Sequence, residues 1–264
     1  MSLVSIGEIS LNTFDQGSGA PLLLVHGFPL DHSMWRGQIN DLSSRYRVIA
    51  PDLRGFGKSA SQDDKVTMAQ FADDLAALLD ALDVGEPVTY CGLSMGGYIG
   101  WQFVQRHRDR LARLIQCDTK SKPDDDEAQA TRMKAADHVL KHGPETLVAT
   151  MMPKLFAEAN RSSQPDAVEA TREVMMNTAP SAIAAALRGM AERPDVTNEL
   201  SQIDLPALIL CGEHDAISPP DEMRKIAAAM PQARFVQIDG AGHMAPLEDP
   251  QAVNAAIIEF LSDT

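Results

Sequence analysis

Ser94 is the side chain of this sequence best placed to act as a nucleophile. It lies between Gly92 and Gly96 in YCGLSMGGYIG, where an apolar strand gives way to a helix. Small residues two before and two after the serine permit a sharp turn, because a side chain there would strike the neighbouring helix or strand, and the turn holds the hydroxyl out of the sheet. PVTYCGL reads as the buried strand and MGGYIGWQFVQRH as the helix. A serine hydroxyl needs a base to remove its proton, and that base needs an orienting carboxylate. The C-terminal third offers both: LPALILCGEHDAISPP is an apolar strand entering a loop with Asp215, and ARFVQIDGAGHMAPLEDP is a second strand entering a loop with His243. The chemistry such a set performs is acyl transfer through a tetrahedral intermediate, whose oxyanion requires a pair of backbone N–H groups. The N–H of Met95, directly after the serine, supplies one. The N–H of Phe28 supplies the other, in PLLLVHGFPLDHSMW, where a strand over 22–25 runs into His26 and Gly27 and Pro29 stiffens the loop.

Two further carboxylates compete for the acid position. Asp118 also follows a predicted strand end, and Asp239 lies near His243 in sequence. Asp215 is preferred, because Asp239 precedes the turn that must present the histidine. His26, directly before Gly27, is expected to tie loops together rather than to serve as the base.

These residues need elements that bring them to one edge. The spacing predicts a hairpin over about 4–15, a strand at 21–25, a helix over about 32–43 and a strand at 47–50. VTMAQFADDLAALLDAL follows as a helix with Thr67 as N-cap, and RLARLIQCDT as a strand after the Ser94 helix. Continuous alternation of strand and helix predicts a mostly parallel sheet covered by helices on both faces. Each candidate catalytic residue falls just past the C-terminal end of a strand, the edge where ligands bind in open parallel sheets. From about 120 to 199 strands vanish and helical periodicity takes over. The expected division is therefore a core of 1–119 and 200–264 with a small helical cap inserted at 120–199. Met151, Met152, Met175, Met176 and Met190 fall in that stretch and either line an adaptable acyl pocket or pack the helices together.

The motifs resemble those of α/β-hydrolase-fold serine hydrolases over nearly the whole chain. The HG-x-P oxyanion loop matches 26–29, the D-x-R-G-x-G-x-S loop 52–59, the serine turn 92–97, the acid loop 212–215 and the G-x-G-H loop 240–243, and the order serine, aspartate, histidine is the family's own. The likeness is greatest to the small bacterial esterase, enol-lactonase and perhydrolase group with a short cap. The resemblance implies a cofactor-independent serine hydrolase that cleaves small or medium carboxylic esters or lactones through an acyl-enzyme. Ser94 would be the nucleophile, His243 the base, Asp215 the acid, and Phe28 and Met95 the oxyanion donors. Serine at the nucleophile position argues against the dehalogenase and epoxide hydrolase branches, which need a carboxylate there. An alternative is 3-oxoadipate enol-lactonase-like action on a carboxylated lactone, which would need a cationic clamp. Arg132, Lys154 and Arg188 are candidates. Perhydrolysis is a conceivable side activity, since Pro29 resembles that group. From a different class come ligand sensing and lyase chemistry on the same scaffold.

A formal charge of −14, from 23 basic and 37 acidic side chains in 264 residues, disfavours nucleic acid and anionic membranes as partners and favours neutral or cationic substrates. No membrane-spanning run or signal pattern is evident, so a cytoplasmic location is the expectation. Cys91, Cys117 and Cys211 are expected to be buried free thiols. Neither a cofactor nor a metal is expected. GFGKS at 55–59 lacks the earlier glycine of a phosphate loop, and His138 with His142 offers only two ligands. DDDE at 124–127 either starts a helix or recognises a cationic substrate. Oligomeric state is not legible.

Overall fold

The computed structural model describes residues 1–262. An eight-stranded sheet runs through the molecule in the order β1, β2, β4, β3, β5, β6, β7, β8. Its strands are β1 (Ser2–Ile6), β2 (Ile9–Gln16), β3 (Pro21–Val25), β4 (Arg47–Pro51), β5 (Val88–Leu93), β6 (Leu111–Cys117), β7 (Ala207–Gly212) and β8 (Ala233–Ile238). β1 and β2 form the expected hairpin and pair antiparallel, as do β2 and β4; every later neighbour pairs in parallel.

Why these runs become strands is visible in how they are buried. Alternate residues of β3 serve opposite faces: Leu23 and Val25 join one apolar cluster, Leu22 and Leu24 the other. β7 repeats the pattern, with Ile209 and Cys211 on the first face and Leu208 and Leu210 on the second. A strand buried on both faces has no polar side, which is why these segments read as unbroken apolar runs. Helices cover the two faces. α2 (Met68–Ala81) and α3 (Met95–Arg106) pack on the first; α1 (Arg36–Leu42) and α11 (Pro250–Ser262) pack on the second. The helix expected over 32–43 is a 3-10 turn, His32–Trp35, followed by α1. The Thr67 hydroxyl caps α2 by accepting the Gln70 N–H at 3.1 Å.

Between β6 and β7 the chain is helical: α4 (Asp126–His142), α5 (Glu145–Leu155), α6 (Glu158–Ser163), α7 (Pro165–Asn177) and α8 (Pro180–Ala191). Asp125 accepts the Ala128 N–H at 2.8 Å, so the acidic run does start a helix, with Asp126 and Glu127 in the first turn where the helix dipole favours them. α9 (Pro220–Ala229) follows β7, and the short α10 (Ala245–Glu248) leads into α11.

Candidate active site

Ser94 leaves β5 with φ 53° and ψ −109°, a conformation that costs an L-residue energy and persists only where its surroundings enforce it. Those surroundings are tight. A Cβ on Gly96 would stand 2.3 Å from the Val25 carbonyl oxygen, and one on Gly92 would stand 2.4 Å from the Gly96 carbonyl oxygen. The Ser94 N–H donates to the Cys117 carbonyl at 2.9 Å, and the Ser94 carbonyl accepts the Thr119 hydroxyl at 2.8 Å and the Gly97 and Tyr98 N–H groups. The backbone of the turn is fixed from three sides, and the side chain is the part left over. Met95 begins α3, so its N–H is among those without an acceptor inside the helix. The Gly27 position packs directly on this turn, since a Cβ there would lie 3.5 Å from the Ser94 Cβ. Phe28, the next residue, is therefore beside the serine.

His243 and Asp215 arrive from the loops after β8 and β7. His243 Nδ1 donates to Asp215 Oδ2 at 2.9 Å, and both residues are buried. Asp215 Oδ1 also accepts the N–H groups of Ile217 at 2.7 Å and Ser218 at 3.0 Å. Burial pushes the Asp215 carboxyl up, but the charge and hydrogen bond of His243 and the two amides outweigh it, leaving the group below its ordinary value. An ionised Asp215 holds the proton of the neutral imidazole on Nδ1 and leaves Nε2 as an acceptor. The structure thus joins the predicted acid to the predicted base. It does not join the base to Ser94, whose hydroxyl has no hydrogen-bond partner among the described residues. Loose nucleophile–base geometry in an unliganded site is ordinary.

Of the two rival acids, Asp239 is exposed and accepts from Gln237. Asp118 is fully buried behind Asp215. Its Oδ1 accepts the Gly212 N–H at 2.7 Å and its Oδ2 has no partner.

His26 is the loop-binding histidine expected. Nδ1 donates to the Gly27 carbonyl at 2.8 Å and Nε2 accepts the Leu53 N–H at 2.9 Å. Burial lowers its pKa, so it is neutral. The 52–59 motif is a scaffold for this loop. Asp52 Oδ1 accepts the His32 N–H and ring at 3.0 and 2.6 Å; Oδ2 accepts from Asn12 at 2.7 Å and the Lys58 N–H at 2.9 Å. Burial opposes its charge, yet these donors bring its pKa down to about 2. Arg54 forks onto Asp74 at 2.7 and 2.5 Å and tethers the loop to α2.

A cavity of about 560 Å³ lies over Phe28 and Ile217 and is walled by α4, α5 and α8. Leu147, Met151 and Leu187 make it apolar inside; Asp124, Asp125, Glu127, Arg132 and Lys154 are also on its lining. The methionines divide between their two expected roles, because Met151 lines the cavity whereas Met175 and Met190 are buried core. The three clamp candidates divide too. Arg132 is committed to Asp124, and Arg188 to Asp137 and the Asp64 carbonyl. Lys154 has no partner among the described residues.

One residue close to the base gave no signal in the sequence. Glu248 is buried in α10; its Oε1 accepts the Gly242 N–H at 2.8 Å, and its Oε2 accepts the Ala157 N–H at 2.9 Å and Asn160 at 2.7 Å. It fastens the loop of His243 to the junction of α5 and α6. Nothing about a glutamate before Asp-Pro announces partners some 90 positions away. His138 and His142 stack on each other at 4.7 Å on α4, and neither belongs to a cluster of three metal-ligating groups among the described residues.

A mostly parallel eight-stranded sheet, with a serine turn after β5 and an aspartate–histidine pair after β7 and β8, defines an α/β hydrolase. The family model for the α/β hydrolase fold matches residues 20–250, and the chain belongs to that family. An esterase structure from Thermogutta terrifontis superposes with a TM-score of 0.95 at 44% identity, covering 98% of this chain and 96% of that one. An enol-lactonase from Burkholderia xenovorans superposes with a TM-score of 0.92 at 27% identity, over 99% and 100% of the two chains. A 3-oxoadipate enol-lactonase from Acinetobacter baylyi is 27% identical over 252 residues, 95% of this chain and 92% of its own.

Proposed function

We propose that this hydrolase is a carboxylesterase that cleaves small to medium uncharged esters through an acyl-enzyme on Ser94. The observation that carries the reading is the buried hydrogen bond between His243 and an ionised Asp215, at the sheet edge where Ser94 projects. In the mechanism, His243 Nε2 takes the Ser94 proton as the hydroxyl attacks the carbonyl, and returns it to the leaving alcohol. Asp215 keeps the imidazole in the required tautomer and offsets the charge of the imidazolium. The Phe28 and Met95 amides receive the oxyanion, at a point where charge exists only in the intermediate and transition state. Water activated by the same histidine then frees the acid. No step calls for a cofactor or metal.

The cavity favours uncharged esters over a carboxylated enol-lactone. On its lining the three carboxylates Asp124, Asp125 and Glu127 face two cations, Arg132 and Lys154, and Arg132 is already paired with Asp124. An anionic substrate would enter a rim with one excess negative charge, on a protein of net charge −14. The 44% identity to an esterase, against 27% to the enol-lactonases, points the same way.

Steady-state hydrolysis of p-nitrophenyl acetate, butyrate and octanoate, alongside an enol-lactone, tests the reading. The parent is expected to turn over the esters faster than the lactone, and Ser94→Ala to lose turnover by several orders of magnitude. A parent that cleaves none of them would favour a ligand-sensing or lyase role on the same fold.

A further inference from the structure

Asp118 lies outside the mechanism above but not outside its reach. It is 0% exposed, and its backbone is held at φ 48°, a left-handed conformation uncommon for aspartate. Its N–H donates to the Leu210 carbonyl at 2.9 Å and its Oδ1 accepts the Gly212 N–H at 2.7 Å, so the carboxyl is locked against the end of β7. Oδ2 is buried without a donor. One oxygen of Asp118, one of Asp215 and the Cys211 Sγ all lie within 4.8 Å of one another.

Two carboxylates this close in a buried site cannot both be ionised. Asp215 has the stronger claim to the charge, with three donors, one of them the imidazole; Asp118 has one. Burial and the neighbouring Asp215 accordingly push the Asp118 carboxyl well above the ordinary range. A proton accounts for the orphaned Oδ2 by turning it into a donor, and Asp215 Oδ2, which accepts only from His243, has a lone pair left to receive it. The Cys211 thiol, raised by burial, lies 3.4 and 3.3 Å from the Gly212 and Ser218 carbonyls and is set to donate rather than to ligate. Among the described residues no cationic side chain hydrogen-bonds the Asp118 carboxyl. Cys117 precedes it and is also raised, by its contact with the Cys91 thiol and by burial, and the Ser218 hydroxyl donates to the Asp118 carbonyl.

We propose that Asp118 is a positioning residue: a neutral carboxylic acid that donates from Oδ2 to the Asp215 carboxylate and so holds the partner of His243 in place. The charged acid of the site is thereby one half of a pair that shares a single negative charge. The proposal rests on the Ser94–His243–Asp215 reading for its catalytic consequence but not for its protonation state.

The two are tested separately. Infrared difference spectroscopy of the parent against Asp118→Asn at neutral pH reads the proton directly. A protonated-carboxyl carbonyl band present in the parent and missing from the variant is expected whether or not the protein hydrolyses esters. On the kinetic side, Asp118→Ala is expected to lower kcat at least tenfold. Asp118→Asn, which keeps a donor and an acceptor of the same shape, is expected to restore most of it and to leave the acid limb of the kcat/KM profile in place. Absence of the band would overturn the proposal. So would an acid limb displaced in Asp118→Asn as the removal of a negative charge displaces it, or a stoichiometric metal ion found in the purified protein. If the band is present but Ser94→Ala is as active as the parent, the proton stands and the catalytic reading falls.

Discussion

An L-residue at a φ of 53° has no steric reason to be there, and at Ser94 the reason is supplied by its neighbours. Glycines at 92 and 96 let α3 and β3 approach so closely that the turn has no other conformation to adopt. The same rigidity makes the role of Asp215 separable from the fold. Asp215→Asn keeps the size and most of the hydrogen bonds of the side chain but lets the amide donate to His243, which favours the wrong imidazole tautomer. Turnover is expected to fall by about 10⁴-fold, with a melting temperature within a few degrees of the parent. Stopped assays and thermal unfolding on the same preparation check both halves, and near-parental turnover would move the acid role elsewhere.

Among the elements, the His243 loop depends on a helix from another part of the chain. Glu248 gathers donors from Gly242, Ala157 and Asn160, and the Met244 N–H donates to the Leu155 carbonyl at 3.0 Å. Removing the carboxylate strands buried N–H groups, each costing about 1–3 kcal/mol. Glu248→Ala is expected to destabilise the protein by about 3 kcal/mol in urea unfolding and to lower kcat more than it raises KM, because the base is displaced while the cavity walls remain. A change confined to KM would place Glu248 in substrate binding instead. Of the inserted helices, α5 and α6 thus anchor the His243 loop, and α4, α5 and α8 reach the cavity.

For the whole molecule, charge sets two expectations. The pKa of Asp52 lies at about 2 in the folded protein, below the ordinary 3.8. A depressed carboxylate stabilises the fold above its unfolded pKa, and the contribution disappears as pH falls through the folded value, here between about pH 4 and pH 2. About 2 kcal/mol is involved. The difference in urea unfolding free energy between the parent and Asp52→Asn is expected to shrink by that amount across this window; a flat difference would remove Asp52 as the source. His32 moves the other way, since Asp52 raises its pKa against the opposing effect of burial, and its share of the pairing is lost as pH rises through that raised value. The second expectation concerns substrates. Glu127→Lys reverses the charge excess of the cavity rim and is expected to raise kcat/KM for an anionic ester about fivefold at low salt, with little change for a neutral one. Equal effects on both would show that the rim acts through shape.

The sequence by itself carried the parts of this protein that depend on neighbours along the chain. Glycine spacing around Ser94, unbroken apolar runs for strands buried on two faces and the Thr67 cap are local patterns that local sterics and burial make legible, and the order of serine, aspartate and histidine is read directly along the chain. Contacts between distant segments were left to the tertiary structure. It chose Asp215 over Asp118 and Asp239 as the partner of His243, set Arg132 and Arg188 aside by pairing them, sent Met175 to the core and Met151 to the cavity, and brought Glu248 to the His243 loop. The side chains involved are ambiguous until folded, because a carboxylate or a guanidinium takes its role from the donors, acceptors and water left around it, and those are supplied by chain up to a hundred residues away.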